Sequence, residues 1–437
     1  MKVAQQLLTC SLILLPSVNA SASADKKDYF TFGVSADYES TDNAKRSPDP
    51  AEAIDEIQNV YIVDVGAQYE NEWSQLISQY DIRREIFQSE SQPDATEIRG
   101  NTRLTFGNDY QPFNLSIIHN RDAVLVSPEA VDLAINRDTQ ELITVEPSVK
   151  LHISSADYFT AVGSYTDVSY KEDEQKKSER KGLRAGWVHG ISKTDKIQVI
   201  AQRTDISFKY VPMADYELEN IGAQYEVALK HLNYLIQIGQ NKASPKSGAK
   251  DVSNPSFRIE AKYQTGANQV ALIGSQAITD SSFGSGGQSH VIGAETPIGS
   301  GSKGVGLDLI NMRTIEVSWE TSAICDRCNF GLNAAQTKQD YLNLSEDGGE
   351  KTLASYFKYN FTRTASINFS FAHKDHYFSA NVDRSGFKSN SAKIGLNYIV
   401  VEDLNVELYA QQEKRTSESA TQNYEENIIG LRLSYHF

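Results

Sequence analysis

Ile429-Gly-Leu-Arg-Leu-Ser-Tyr-His-Phe437 ends the chain and decides how the rest of it is read. Successive side chains of an extended strand point to opposite faces. Ile429, Leu431, Leu433, Tyr435 and Phe437 therefore share one face, and Gly430, Arg432, Ser434 and His436 share the other. One side of this strand suits hydrocarbon, and the other suits water.

Working back along the chain, the same alternation keeps returning. Phe30, Phe32, Val34, Ala36 and Tyr38 alternate with Tyr29, Thr31, Gly33, Ser35 and Asp37. Val63, Val65, Ala67 and Tyr69 alternate with Asp64, Gly66, Gln68 and Glu70. Phe257, Ile259, Ala261 and Tyr263 oppose Arg258, Glu260, Lys262 and Gln264, and Leu404, Val406, Leu408 and Ala410 oppose Asn405, Glu407, Tyr409 and Gln411. In a sandwich core such charges would each need a buried partner. They are ordinary where their face lines water, so the pattern predicts a wet lumen rather than a soluble sandwich or solenoid.

The connections alternate between short turns (near 71–74, 191–195, 363–365 and 400–403, among others) and long polar segments such as 40–57, 121–142 and 280–310. Short turns at one rim and long loops at the other are the habit of membrane barrels. The predicted fold is all-β, a transmembrane antiparallel up-and-down barrel of about 20 strands, with 18 as the other count because 111–121 and 158–170 are the least regular. Strands of roughly 10–14 residues exceed the ~9–11 needed to cross hydrocarbon when tilted. No apolar run of spanning-helix length follows the first residues, and 23% charged residues sit beside 22 Tyr and 17 Phe in a chain of 437. The pentapeptide Gly66-Ala-Gln-Tyr-Glu70 recurs as Gly222-Ala-Gln-Tyr-Glu226.

The start of the chain agrees. Lys2, the apolar Leu7–Leu15, Pro16 and the small residues of Val18-Asn-Ala20 and Ala22-Ser-Ala24 form a secretory signal. We expect residues 1–24 to be removed, leaving 25–437 as a single barrel domain. That removes Lys2 and no acid, moving the net charge from −15 to −16.

The terminal strand resembles the closing strand of bacterial outer-membrane barrels, which the barrel-assembly machinery reads. The resemblance gives Gly430, Leu433, Tyr435 and Phe437 as the assembly signal, although Ile428 stands where a polar residue is usual. With the signal peptide and the strand Leu142-Ile-Thr-Val-Glu-Pro-Ser-Val-Lys-Leu-His-Ile-Ser154, the chain is similar to the β-barrel porins found beside exopolysaccharide and exosortase genes. The resemblance implies the outer membrane of a Gram-negative bacterium with both termini in the periplasm. It implies lipid and lipopolysaccharide as surroundings, polysaccharide-export proteins as partners, and a passive channel for hydrophilic solutes that serves export of the polymer. A non-conducting scaffold or adhesin barrel, and an outer-membrane hydrolase, are the alternatives.

Local motifs carry little chemistry. Cys325-Asp-Arg-Cys328 joins two strands and reads as a small disulfide across a turn, since a redox role wants a helix N-terminus and zinc wants two further ligands. His373-Lys-Asp-His376 reads as solvated rim residues. Gly284–Gly287 and Gly299–Gly304 lack the spacing and the helix of a phosphate loop. No nucleophile motif is visible, so no catalytic residue, metal, cofactor or nucleic-acid partner is expected. Pro128–Ile135 has helix-compatible spacing, and the segment 122–141 either narrows the lumen or stands out as a flap.

Alternation assigns the lumen lining. Its candidates are Arg83, Arg99, Arg103, Lys150, Arg184, Arg258, Glu260, Lys262, Glu316, Lys358, Glu407 and Arg432. The two signs are nearly balanced across all inward positions, with Arg83, Arg99 and Arg103 expected as one local basic ladder. A strongly anionic polymer would want a basic lumen, so small solutes or a neutral sugar chain fit better. Nothing in the sequence marks oligomerisation, and a monomer is the simple expectation.

Overall fold

The computed structural model describes residues 28–108, 111–127, 129–282, 307–344, 346–380, 382 and 384–437. The expected signal peptide, the two glycine-rich stretches and Pro128 lie outside them. The wall begins with β1 (Tyr29–Thr41), β2 (Glu56–Glu70), β3 (Ser74–Phe87), β4 (Ala95–Phe106) and β5 (Phe113–Leu125). It continues with β6 (Arg137–His152), β7 (Asp157–Tyr170), β8 (Ser178–Gly190), β9 (Asp195–Phe208) and β10 (Tyr216–Ala228). Then come β11 (Leu232–Pro245), β12 (Val252–Gln264), β13 (Asn268–Asp280), β14 (Leu309–Thr321) and β15 (Cys328–Tyr341). The last are β16 (Gly348–Asn360), β17 (Ala365–Phe378), β18 (Phe387–Val401), β19 (Leu404–Ser417) and β20 (Tyr424–His436).

Each strand pairs antiparallel with its sequence neighbour, and β1 pairs with β20 from Gly33↔His436 to Thr41↔Ile428, closing the ring. Twenty strands is the count the alternation predicts. At ~4.8 Å between strands tilted by ~40°, such a ring is roughly 40 Å across at the backbone.

The turns form for local reasons. At four of the short ones a side-chain oxygen accepts backbone N–H groups two and three residues on. Asn71 Oδ1 takes Trp73 N and Ser74 N, and Ser154 Oγ takes Ala156 N and Asp157 N. Ser192 serves Thr194 and Asp195, and Thr362 serves Thr364 and Ala365, in the same way. These turns hold one rim tight, and the described chain begins and ends there. The other rim carries the long connections.

Register then fixes faces, because paired residues share one. Leu408↔Leu431 and Val406↔Leu433 face outward, and Glu407↔Arg432 faces inward. Ile429 and Leu408 stay 64% and 54% exposed at the outer surface. From Tyr61 to Tyr69 the outer face of β2 spans eight residues, roughly 20 Å of height at this tilt, close to the ~25 Å apolar band of membrane barrels.

The closing strand shows why its glycine is there. A Cβ at Gly430 would collide with the ring of Tyr409, which lies across it. The Tyr409 hydroxyl donates to Glu39 Oε1 at 2.8 Å, and Lys393 Nζ stands 4.0 Å from the ring centroid. Ile428, the departure from the usual pattern, points inward and is buried against Tyr409. Leu433 and Tyr435 point outward, and Phe437 packs on Phe32 and Tyr435 at ring distances of 5.4 and 4.6 Å.

Two hairpins leave the wall. β4 pairs with β5 only over Gly100–Phe106 and Leu115–Arg121, and β12 pairs with β13 only over Phe257–Gln264 and Gln269–Gln276. Above those points the β5–β6 and β13–β14 hairpins lean into the barrel. Alternation from Gly274 would send Ile278 outward. It is instead fully buried among Ile206, Phe208, Tyr216, Leu218 and Ala243, on the inner faces of β9, β10 and β11. The two hairpins stand eight strands apart, as do the two copies of the pentapeptide, in β2 and β10.

Candidate functional site: the lumen and its inward hairpins

All twelve lining candidates share the inner face by register. Arg83 faces Glu97 and bonds Glu85 Oε1 at 2.7 Å, and Arg99 bonds Glu97 Oε2 at 2.5 Å with Asp122 3.9 Å away. The expected basic ladder is therefore corrected to an alternating-sign cluster. The lysines and arginines of neighbouring strands interleave with acids because register sets Asp81 beside Arg99 and Arg83 beside Glu97. Elsewhere Arg258 pairs with Glu260, Lys393 with Glu407 at 2.8 Å, and Arg432 with Asp37 at 2.6 Å and Glu407 at 3.6 Å. Glu316 accepts from Asn333 Nδ2 at 2.7 Å. Lys150 lies over the Tyr158 ring at 4.6 Å. Arg103, Arg184, Lys262 and Lys358 line the same face on β4, β8, β12 and β16.

Filling is uneven along the axis. Towards the long-loop rim, inward side chains such as Glu39, Glu56, Val60, Glu85, Tyr170 and Glu413 are buried. Towards the short turns, inward Glu70, Asn101 and Lys358 are exposed. The lumen is thus packed at one end and wet at the other.

The β5–β6 connection does part of the packing. It carries a single 3-10 turn, Ala134–Asn136, in place of the helix expected from Pro128 to Ile135. Leu133 ahead of that turn offers no side-chain cap, and β6 begins directly after it. The segment folds inward across the mouth, as shown by what it touches. Arg415 of β19 donates to the carbonyls of Glu129 and Ala130, and Arg384 of the β17–β18 connection bonds Glu129 at 3.1 Å. Arg46 of the β1–β2 connection donates to the Asp132 carbonyl at 3.0 Å, and Ala134 N donates to Gln92 Oε1 at 3.1 Å.

Charge holds that crossing in place. Arg137 Nε meets Asp132 Oδ1 at 2.6 Å and its Nη1 meets Glu97 Oε1 at 2.8 Å. Burial works against the Asp132 carboxylate, but Arg137 and then Arg46 outweigh it and hold the carboxyl below its usual range. Burial likewise disfavours the Arg46 cation, yet Glu413, Tyr424 and Glu426 keep it firmly charged. The two glutamates stand 3.2 and 2.9 Å from that guanidinium.

The described ends of the β13–β14 hairpin, up to Ser282 and from Leu307, pack on the opposite side. Asp280 accepts from Arg180 Nη2 at 2.9 Å, from Ser282 N at 2.9 Å and from the Tyr216 hydroxyl. The Ser282 carbonyl accepts from the Tyr170 hydroxyl and from Gln140 Nε2 at 3.2 Å. One hairpin therefore reaches the base of the other. Asp280, Arg137 and Ile278 escape a reading by alternation, which sends all three outward. The unusually acidic or basic ends of those strands were the only sequence signal.

Cys325 and Cys328 form a disulfide in the β14–β15 turn. His373 points outward to Asn390 at 2.8 Å, while His376 points inward and stacks on Phe387 at 5.3 Å. Opposite faces prevent the two from sharing a ligand. Among the described residues no three His, Cys, Asp or Glu side chains gather as metal ligands would.

No protein-family model matches the chain, and no curated protein matches it. Among solved structures it is similar to Pseudomonas aeruginosa OpdK with vanillate, at 11% identity and a TM-score of 0.37, over 93% of this chain and 98% of that one. Acinetobacter baumannii OccAB3 gives 11% and 0.38 over 94% and 99%. Pseudomonas aeruginosa OccK2 (OpdF) in complex with glucuronate gives 11% and 0.39 over 94% and 98%. Likeness this slight says nothing of what passes through the barrel.

Proposed function

We propose that the protein is a channel in the outer membrane of a Gram-negative bacterium, with both termini in the periplasm, through which small hydrophilic solutes pass passively. One observation carries the reading: inward positions are predominantly polar and charged, while outward positions are predominantly apolar around most of the ring. A lining of paired opposite charges attracts water without favouring one sign of solute. Conduction of a polysaccharide chain is the narrower version and is not favoured, because both inward hairpins would have to leave the mouth for a polymer to thread it. Lipopolysaccharide and the assembly machinery are the partners this setting supplies.

The test is conductance in planar bilayers. Purified, detergent-refolded protein is expected to give discrete steps that scale with salt, and a reversal potential near zero across a KCl gradient. Absence of steps at every voltage, in protein whose barrel is folded by heat-shifted gel mobility, overturns the proposal in favour of a non-conducting scaffold.

A further inference from the structure

The outer face of β3–β6 differs from the rest of the belt. On β13–β16 the outward residues along one register row are Leu272, Val317, Ala334 and Leu353. On β3–β5 the corresponding faces carry Ser78, Tyr80, Thr102 and His119, joined by hydrogen bonds. Ser78 Oγ lies 2.8 Å from Thr102 Oγ1, which donates to the Tyr80 hydroxyl at 3.2 Å. That hydroxyl is 2.5 Å from His119 Nδ1, and His119 Nε2 is 2.8 Å from Glu141 Oε1 on β6. Leu76 and Leu104 lie outward below this chain, and Ile82 and Ile98 lie outward above it. The polar groups are thus inside the apolar belt, not at its rim.

We infer that this face is covered by a second copy of the same chain. Hydrocarbon is a poor neighbour for such a chain of hydroxyls, imidazole and carboxylate. Arg121 lies beside His119 on the same outer face. Ser78, Gly100 and Thr102 are small, which lets two walls approach closely, and interfaces inside membranes combine small residues with polar ones. The patch also complements itself. Arg121 and Glu141 are directly opposed in register, so a two-fold axis along the membrane normal sets each against the other residue of the partner copy. The inference assumes only that the belt lies in lipid, not that the barrel conducts.

Charge reversal with native mass measurement in mild detergent tests it. Wild type is expected at twice the single-chain mass, and R121E and E141R alone at the single-chain mass. Differently tagged R121E and E141R chains made together should pair with each other at least tenfold over self-pairing, a rescue no intrachain contact can produce. Folding is read separately by heat-shifted mobility; where a reversed charge blocks folding, R121Q and E141Q are used and should lower the dimer fraction at least tenfold. Wild type at single-chain mass, with or without bound phospholipid, overturns the inference. So do variants that keep the wild-type mass, or mixed chains that fail to pair.

Discussion

Arg180→Leu should unlatch the β13–β14 hairpin without unfolding the barrel. Arg180 and Asp280 have side chains only 8% and 2% exposed, so removing the cation leaves a carboxylate in the packed half of the lumen. Breaking a buried pair in this way costs about 3–5 kcal/mol. The burial of Ile278 and Leu309 survives the change and is worth about 1.5–3 kcal/mol each. The variant hairpin should therefore still close, but visit its open position roughly a hundred- to several-thousandfold more often. Single-channel recording should show new, larger substates, and amides of 276–282 should exchange faster while β1 and β20 keep their protection. Arg180→Leu with Asp280→Leu removes both charges and should largely restore closure, because no uncompensated carboxylate remains. If the single variant matches wild type in substates and exchange, the ion pair is not the latch.

Three further outcomes follow from local contacts. Gly430→Ala should cost about 1–3 kcal/mol by forcing the Tyr409 ring aside, seen as a lower temperature of heat-shifted gel mobility, and Tyr409→Ala in the same chain should relieve part of it. The β5–β6 crossing should loosen in acid: Asp132 has its carboxyl lowered on folding, so its contribution is complete above the ordinary carboxylate range and is lost as pH falls below it. A fluorophore on residue 130 should report that release as increased mobility, and Asp132→Asn should show it already at neutral pH. Reduction of Cys325–Cys328, which closes a loop of only four residues, should cost no more than roughly 2 kcal/mol and leave the barrel closed, read by heat-shifted gel mobility.

The ring was legible because alternation is a wall-level signal: each strand reports which side is wet, and the turn oxygens of Asn71, Ser154, Ser192 and Thr362 report where it reverses. What alternation cannot carry is a change of surface. Ile278 and Asp280 keep the outward phase of Gly274 yet end up inside, because the hairpin that bears them bends past β12. Arg137 does the same past β4. The basic ladder misled for a related reason, since a list of inward arginines omits the acids that register sets beside them. The outward Ser78–Thr102–Tyr80–His119 chain was visible only as irregularity, because its meaning comes from four strands read together.

The pairing of β1 with β20 has a consequence for biogenesis. Ser35 donates to Ser434 across a separation of 399 residues, so the seam cannot be sewn until the whole polypeptide has been delivered. A nascent chain lacking only its final strand would present two raw edges, each a template for wrong partners. Closure is therefore a single late event: the final strand is also the last stave in the cask.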